Sequence, residues 1–456
     1  MVAWSGETPT VLRSEESVAT KLLRIAEKAR KEPKFKFTSL YHLMNEELLR
    51  ECFKRLNRGA AAGVDNETKG MYEINLDANL ANLAGRLQRM AYIPQPVRRT
   101  YIPKPGSTKQ RPLGVTCLED KLVQAAMVRI LNAVYEQDFI DDSYGFRPGR
   151  NCHQALIALS DTVEAKPVSY IVEADIKGFF DNVDQEWLMK FLGHRISDKR
   201  ILRMVKRFLK AGVSEDGNVT IPDEGTPQGA SCSPLLANIY LHYTLDLWFE
   251  KVYRKSCSGY ARLIRYADDF VVCFQNKTDA ERFRDELGKR LGKFNLEVEP
   301  TKTRVMEFGR FAVEKAARKG KAVETFDFLG LTHYCGLSRN GEKFRMKRCT
   351  ARKKFAAKIL AFKEWMLKSR AMKTAELWET VKAKLRGHFS YYGVTDNYPG
   401  ISRFALEVVK LLFKWLNRRG KRDCMNWEKF SEMLRHFPLP KPRIMVSMFK
   451  SQRIAI

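Results

Sequence analysis

The sequence predicts an α+β fold that gives way to an all-helical C-terminal region. Short apolar runs suited to strands, Val168–Asp175, Ala261–Tyr266 and Phe270–Phe274, alternate with helical patterns. In Thr278–Phe294, for example, Phe283, Leu287 and Leu291 recur on one helical face. Beyond residue 350 only helical patterns recur, over Thr350–Trp365, Thr374–Tyr392 and Ile401–Arg418. No G-x-G-x-x-G follows the first strand, which disfavours a dinucleotide-binding sheet.

The elements follow in order. Residues 1–35 are polar around one expected helix, Ser17–Lys31, which carries Leu22, Leu23 and Ile25 and is broken at Glu32-Pro33. Leu40–Leu56 is expected to be a second amphipathic helix, Arg58–Asp65 a Gly/Ala loop, and Ile74–Met90 another helix. Arg98–Pro103 and Gln110–Val115 suit two strands joined by a basic turn. Leu118–Glu136 is helical, and Pro227-Gln228-Gly229 leads into an apolar helix over Ser231–Leu245. There is no internal repeat and no low-complexity tract.

Charge points to a polyanionic partner. Against 81 Lys and Arg stand 53 Asp and Glu, a net charge of +28. Such an excess binds polyphosphate by counterion release. The cations recur within apparently folded segments, which favours basic faces over a disordered arm. No long apolar span or signal peptide offers a membrane alternative. The nine cysteines form no C-x-x-C pair, so a zinc ribbon is not expected. Their odd number suits reduced thiols in a cytoplasm, with Cys273 in the core.

Two segments carry candidate chemistry. Tyr266-Ala267-Asp268-Asp269 separates two β-rich runs, and at a tight hairpin tip both carboxylates can approach one site. Asp-Asp also fits ordinary turn chemistry. The second segment, Ser169–Ile176, reads as a buried strand ending in Asp175. A strand-end carboxylate and a carboxylate hairpin suit a three-carboxylate site for two Mg2+ ions.

Several motifs in one order resemble a bacterial group II intron-encoded reverse transcriptase and maturase. Lys104–Gly114 resembles the fingers segment, and Ser143–His153 the family's most specific block. Asp175–Phe180 resembles polymerase motif A, Gly225–Gly229 motif B, and Tyr266–Asp269 motif C. Phe328-Leu329-Gly330 resembles the primer grip, and Leu385–Tyr392 the maturase thumb. The resemblance spans roughly residues 40–445. It implies a right-hand polymerase: an N-terminal helical extension over 1–95, fingers and palm over 96–335, an α-helical thumb over 336–422, and a short basic tail over 423–456. The Cys-paired endonuclease domain of many relatives is not expected.

The resemblance also implies roles. Asp175, Asp268 and Asp269 would hold two Mg2+ ions, with Mn2+ able to substitute and the Ile176 carbonyl as a further ligand. Asp181 and Asp184 are expected to cap a helix instead. Phe180 would pack under the nucleotide sugar and exclude a 2′-hydroxyl. Arg111 and Lys104, with Lys109 as alternative, would meet the triphosphate. Gln228 would hydrogen-bond the incoming nucleotide, and Lys302 would protonate the leaving pyrophosphate unless it is a surface lysine. Between Arg345 and Lys358 lie seven basic residues and no acid. Arg348, Arg352 and Lys353 are expected to track phosphates while Phe355, Ile359, Leu360 and Trp365 pack. Arg386, Tyr391 and Tyr392 would add RNA contacts, and Arg418 and Arg419 open a candidate DNA-contacting tail.

The implied function is an RNA-directed DNA polymerase that binds its parent group II intron RNA, assists splicing and copies the intron into target DNA. The implied partners are that RNA, an RNA template with a DNA primer, dNTPs and target DNA; a homodimer stays open. The implied location is a bacterial cytoplasm, at the nucleoid when on DNA. The alternatives are a domesticated, CRISPR- or retron-like reverse transcriptase without a splicing role, and an RNA-binding splicing factor only.

Overall fold

The computed structural model describes residues 16–103, 110–221, 224–226, 229–318, 320–369, 371–418 and 425–449. Among them the strands are β1 (Val97–Pro103), β2 (Gln110–Val115), β3 (Tyr170–Ala174), β4 (Val213–Glu215), β5 (Asn218–Thr220), β6 (Ala261–Tyr266), β7 (Asp269–Phe274), β8 (Arg304–Glu307), β9 (Phe326–Phe328), β10 (Leu331–Leu337) and β11 (Phe344–Thr350). They form three sheets, ordered β2-β1-β4-β5, β6-β7-β3-β8 and β11-β10-β9. Fifteen α-helices among the described residues accompany them, an α+β architecture. No described helix is long and apolar enough to cross a membrane.

The chain folds as two compact units. One comprises Met1–Thr100, Leu113–Ile140 and Phe180–Tyr243. Its central helix, Leu118–Tyr135, buries Leu122, Val123, Ala126, Met127, Ile130, Leu131 and Val134 completely. A helix apolar on nearly every side belongs inside a core. The expected helix Leu40–Leu56 is interrupted: a short 3-10 turn, Tyr41–Leu43, precedes a helix over Glu46–Arg55. Asn45 causes the break, because its side chain accepts the Leu48 N–H and caps the second helix. Buried Asp198 joins two segments of this unit by accepting N–H bonds from Leu40, Tyr41, Arg200 and Ile201. Gly229 has φ +104, and a Cβ there would strike the Gly114 carbonyl, so only glycine allows this approach.

The other unit comprises Tyr101–Pro112, Asp141–Phe179 and Thr244–Ile456. Helix Lys277–Gly292 packs on β3, β7 and β8 through Phe283, Leu287 and Leu291. One continuous core runs from Ile171, Val271 and Cys273 through Phe308, Phe326 and Phe328 to Phe389, Val408 and Leu412 of the C-terminal helices. Those helices are Arg352–Lys368, Thr374–Tyr392, Tyr398–Leu416 and Trp427–His436.

Two expectations are corrected here. The start of the supposed helix Thr350–Trp365 belongs partly to β11, so Arg345, Lys347 and Arg348 stand on a strand, not on one helical face. The helix that follows buries Ala357, Phe362 and Met366, with Phe355, Ile359 and Trp365 at the margin, and leaves Leu360 exposed.

Candidate active site

The central sheet sets the geometry. β3 pairs antiparallel with β7, with Ala174 opposite Phe270 and Val172 opposite Val272. Extending that register by one residue brings Asp175 opposite Asp269. β6 and β7 close a hairpin in which Tyr266 pairs with Asp269, leaving a two-residue loop of Ala267 and Asp268. Ala267 takes φ +57, at the loop position where such hairpins favour glycine. The three carboxylates therefore gather at one end of the sheet, from two strands and one loop.

Crowding and burial act on the two hairpin acids. Burial pushes the Asp268 carboxyl up, and Asp175 adds to the rise, while the Arg111 and Arg265 guanidiniums oppose it. Asp269 is open to solvent along one edge, yet the packed hairpin around it and the Asp268 and Asp175 carboxylates push it up to about 6, against the pull of Lys354. Asp175 accepts an ion-pair hydrogen bond from the Lys302 ammonium, which stands on the 3-10 turn Pro300–Lys302 and is 64% exposed. Next to it, Ile176 and Val298 form an antiparallel bridge. The ladder bonds flank that pair: the Glu299 N–H donates to the Asp175 carbonyl and the Lys177 N–H to the Glu297 carbonyl. Ile176 is thus in a non-hydrogen-bonded pair, whose own carbonyl points away from the partner strand.

Donor type fits hard divalent cations: carboxylates that repel one another, beside a carbonyl free of the ladder. Among the described residues, however, no three carboxylate, imidazole or thiolate groups converge closely enough to share one ion as the side chains stand. Asp175 is engaged by the Lys302 ammonium, a cation already at one of the three acids.

The remaining site candidates separate. Arg111 is exposed in the same unit as the carboxylates. Phe180, the first residue of a segment of the other unit, is half-buried in the 3-10 turn Phe179–Asp181, and its carbonyl accepts the Thr226 N–H at 2.8 Å. Phe179 is the core residue of the pair. Asp184 caps helix Gln185–Leu192 by accepting the Trp187 N–H. Lys104, Gln228 and Arg419 lie outside the described residues.

On the basic side, Arg352, Lys353 and Arg386 are exposed, and exposed Arg418 lies over the Trp415 ring. The expectation for Arg348 is corrected: its side chain is fully buried, and Nη2 donates to Ser160 Oγ at 2.7 Å and to the Met346 carbonyl at 2.9 Å. Strand alternation turned this arginine inward, so it has no access to a phosphate. Tyr392 is buried in the core. Tyr391 keeps part of its ring exposed, but its hydroxyl donates to the Leu329 carbonyl at 3.1 Å.

Sequence reasoning missed three groups beside the carboxylates. Lys354 lies near enough to Asp269 to favour its charged form. Arg265 and Asp246 form a bidentate pair, both fully buried. The signal was available for Arg265: a cation directly after the apolar pair Leu263-Ile264 in a strand demands a partner.

The stretch that holds these carboxylates is similar to known proteins. The family described as reverse transcriptase (RNA-dependent DNA polymerase) matches residues 102–333. Group II intron-encoded protein LtrA of Lactococcus lactis subsp. cremoris is 40% identical over 213 residues, covering 45% of this chain and 34% of that protein. Protein YkfC of Escherichia coli (strain K12) is 35% identical over 277 residues, 53% of this chain and 71% of that protein. The putative COX1/OXI3 intron 2 protein of Saccharomyces cerevisiae is 33% identical over 190 residues, 41% and 22% of the two chains. The matched part of the chain thus spans about a third of LtrA.

The raised carboxylate makes a pH-dependent prediction. The Asp269 carboxyl, pushed up to about 6 from its ordinary value of 3.8, holds its proton more tightly in the folded ion-free protein than in the unfolded chain. Stability therefore falls as pH rises from about 4 to about 6 and stays lowered above that. In chelator, Asp269→Asn should raise the thermal midpoint at pH 7.5, and this gain should shrink as pH falls through about 6. Melting curves from pH 4 to 8 test this; a constant difference at all pH values would refute it.

Proposed function

Because this chain belongs to the reverse transcriptase (RNA-dependent DNA polymerase) family, we propose that it copies RNA into DNA at Asp175, Asp268 and Asp269. The observation that carries the reading is the β3–β7 register, which gathers these carboxylates at one sheet end. As its template and partner we propose a group II intron RNA, which the protein binds, helps to splice and copies into a DNA target. Support comes from the likeness to an intron-encoded protein and from the net charge of +28.

The proposed reaction is attack of a primer 3′-hydroxyl on the α-phosphate of a dNTP. When bound, two Mg2+ ions, or Mn2+ in their place, would activate the hydroxyl and stabilise the leaving pyrophosphate. Asp175, Asp268, Asp269 and the Ile176 carbonyl would hold them. Lys302, beside Asp175, would be free to meet the pyrophosphate once Asp175 turns to a metal. Arg111 offers a planar fork to the triphosphate, with Lys104 as a point charge. Phe180 would exclude the ribose 2′-hydroxyl, and Gln228 would orient the nucleotide. Arg352, Lys353, Arg386 and the exposed Tyr391 ring form the proposed RNA surface, and Arg418 and Arg419 the proposed DNA contact. The domain assignment belongs to the same proposal: extension over 1–95, fingers and palm over 96–335, thumb over 336–422, tail over 423–456.

Loss of one anionic ligand should disable the chemistry. Asp268→Asn should reduce extension of a DNA primer on an RNA template by at least about hundredfold, about 2.7 kcal/mol of transition-state stabilisation. Splicing assistance should persist, since it needs the RNA surface and not the metals. Extension within about tenfold of wild type would remove Asp268 from the site.

Phe180→Val should raise ribonucleotide incorporation relative to deoxynucleotide incorporation. Single-nucleotide kinetics measure the ratio; an unchanged ratio in an active, folded variant would refute the steric gate.

RNA affinity should fall steeply with salt. Changing Arg352, Lys353 and Arg386 to Gln should flatten the log–log slope by roughly two to three units if each meets one phosphate. Gln barely alters helix propensity. Arg348→Gln should instead lower the thermal midpoint and leave the slope unchanged, because it removes internal bonds. Filter binding across a salt series, beside melting curves, separates the two; a wild-type slope in the triple variant would show that this face is merely solvated.

A further inference from the structure

The hairpin that carries Asp268 and Asp269 is gripped on two sides by groups that the proposed reaction does not use. Arg265 stands in β6 just before the loop, and its side chain is fully buried. Its fork makes two parallel bonds to Asp246: Nε donates to Oδ1 at 2.8 Å and Nη2 to Oδ2 at 2.6 Å. The remaining nitrogen, Nη1, donates to the Ala267 carbonyl at 2.9 Å. Asp246 is itself fully buried and ends the π-helical turn His242–Asp246. Such turns are rare and break the ordinary helical ladder.

The second grip is backbone. The Arg265 N–H donates to the Asp142 carbonyl and the Tyr144 N–H donates to the Arg265 carbonyl, both at 2.9 Å. Arg262, also in β6, forks onto Asp142 at 2.8 and 2.6 Å. Gly145 lies directly against the loop: a Cβ there would strike the Ala267 nitrogen and come within 2.9 Å of the Tyr266 carbonyl carbon. Arg147 Nη1 secures this segment by donating to the Ser143 carbonyl at 2.7 Å.

A buried ion pair is a poor source of net stability compared with apolar side chains of similar volume. This pair, however, holds a carbonyl in the loop. Ala267 occupies a backbone region that alanine visits rarely, so the loop conformation needs outside support. The Ala267 carbonyl belongs to the peptide that enters Asp268, and the orientation of that peptide aims the Asp268 side chain. We infer that the Arg265–Asp246 pair is a splint for the carboxylate tip, and that Arg265 is a positioning residue for divalent-cation binding. The inference rests on the reading of Asp175, Asp268 and Asp269 as the cation-holding set. Mg2+ demands near-ideal octahedral geometry, so a loosened tip should show first as weaker cation binding.

The test removes both charges together. Arg265→Met with Asp246→Leu removes the ion pair as a whole, so neither charge is left orphaned in the core, and with it the bond to Ala267. Mn2+ binding is measured from loss of the free-ion EPR signal, without primer or nucleotide. The expected result is binding weakened by about tenfold or more, the usual scale for groups that orient metal ligands. The Mg2+ half-saturation for primer extension should rise in parallel, with primer–template affinity unchanged. A folded double variant with wild-type Mn2+ binding and Mg2+ half-saturation overturns the inference. If the double variant does not fold, Arg265→Lys decides, since lysine keeps the charge opposite Asp246 but cannot bridge to Ala267 as well. Wild-type Mn2+ binding by Arg265→Lys would then overturn it. Asp268→Asn runs alongside: if it too binds Mn2+ and extends primers normally, the reading of the carboxylates fails; if it alone is defective, only the splint does.

Discussion

Antiparallel pairing of Tyr170–Ala174 with Asp269–Phe274 is the constraint on which the site depends. Side chains alternate across a strand, so a one-residue slip would exchange the faces of every residue in it. Here both faces are closed: Ile171, Val172, Val271, Val272 and Cys273 are all fully buried. Apolar burial on two sides fixes the register far more strongly than the carboxylates could, for they repel one another. The core thus holds in place an acidic cluster that would not assemble by itself.

The surrounding charge explains how that cluster is tolerated. Asp268 and Asp269 are both pushed toward their neutral forms, and each is answered by a cation from elsewhere in the chain. Arg111 and Arg265 act on Asp268, Lys354 on Asp269, and Lys302 is bonded to Asp175. None of these is a neighbour of its acid along the sequence except Arg265. The folded protein supplies positive charge at the same positions where the proposed reaction calls for divalent cations and a triphosphate.

The C-terminal helices share their core with the sheets of the same unit. Phe389, Val408 and Leu412 belong to the cluster that contains Ile171 and Val271. The Tyr391 hydroxyl bonds to the Leu329 carbonyl, and Leu329 has φ +51 in the turn before β10. This segment is therefore both a packing partner and a surface. Its inward face explains Tyr392 and its outward face Arg386.

The sequence alone determined the central strands, the hairpin with its two acids, and the helices Leu118–Tyr135 and Thr374–Tyr392, because apolar periodicity and turn chemistry are local properties. Net charge, likewise, needed no structure. Local pattern failed where long-range packing decided. Arg348 resembled its basic neighbours in sequence, but pairing of β11 with β10 turned it into the core. The helix expected over Thr350–Trp365 gave up its first residue, Thr350, to that same strand, since ladder hydrogen bonds outweigh a helical propensity of a few tenths of a kcal/mol per residue. Only the tertiary structure could bring Asp246 beneath Arg265, or Asp142–Gly145 alongside the loop, because those contacts join segments that no periodicity links. Sequence named the acids; packing between distant segments decided what holds them.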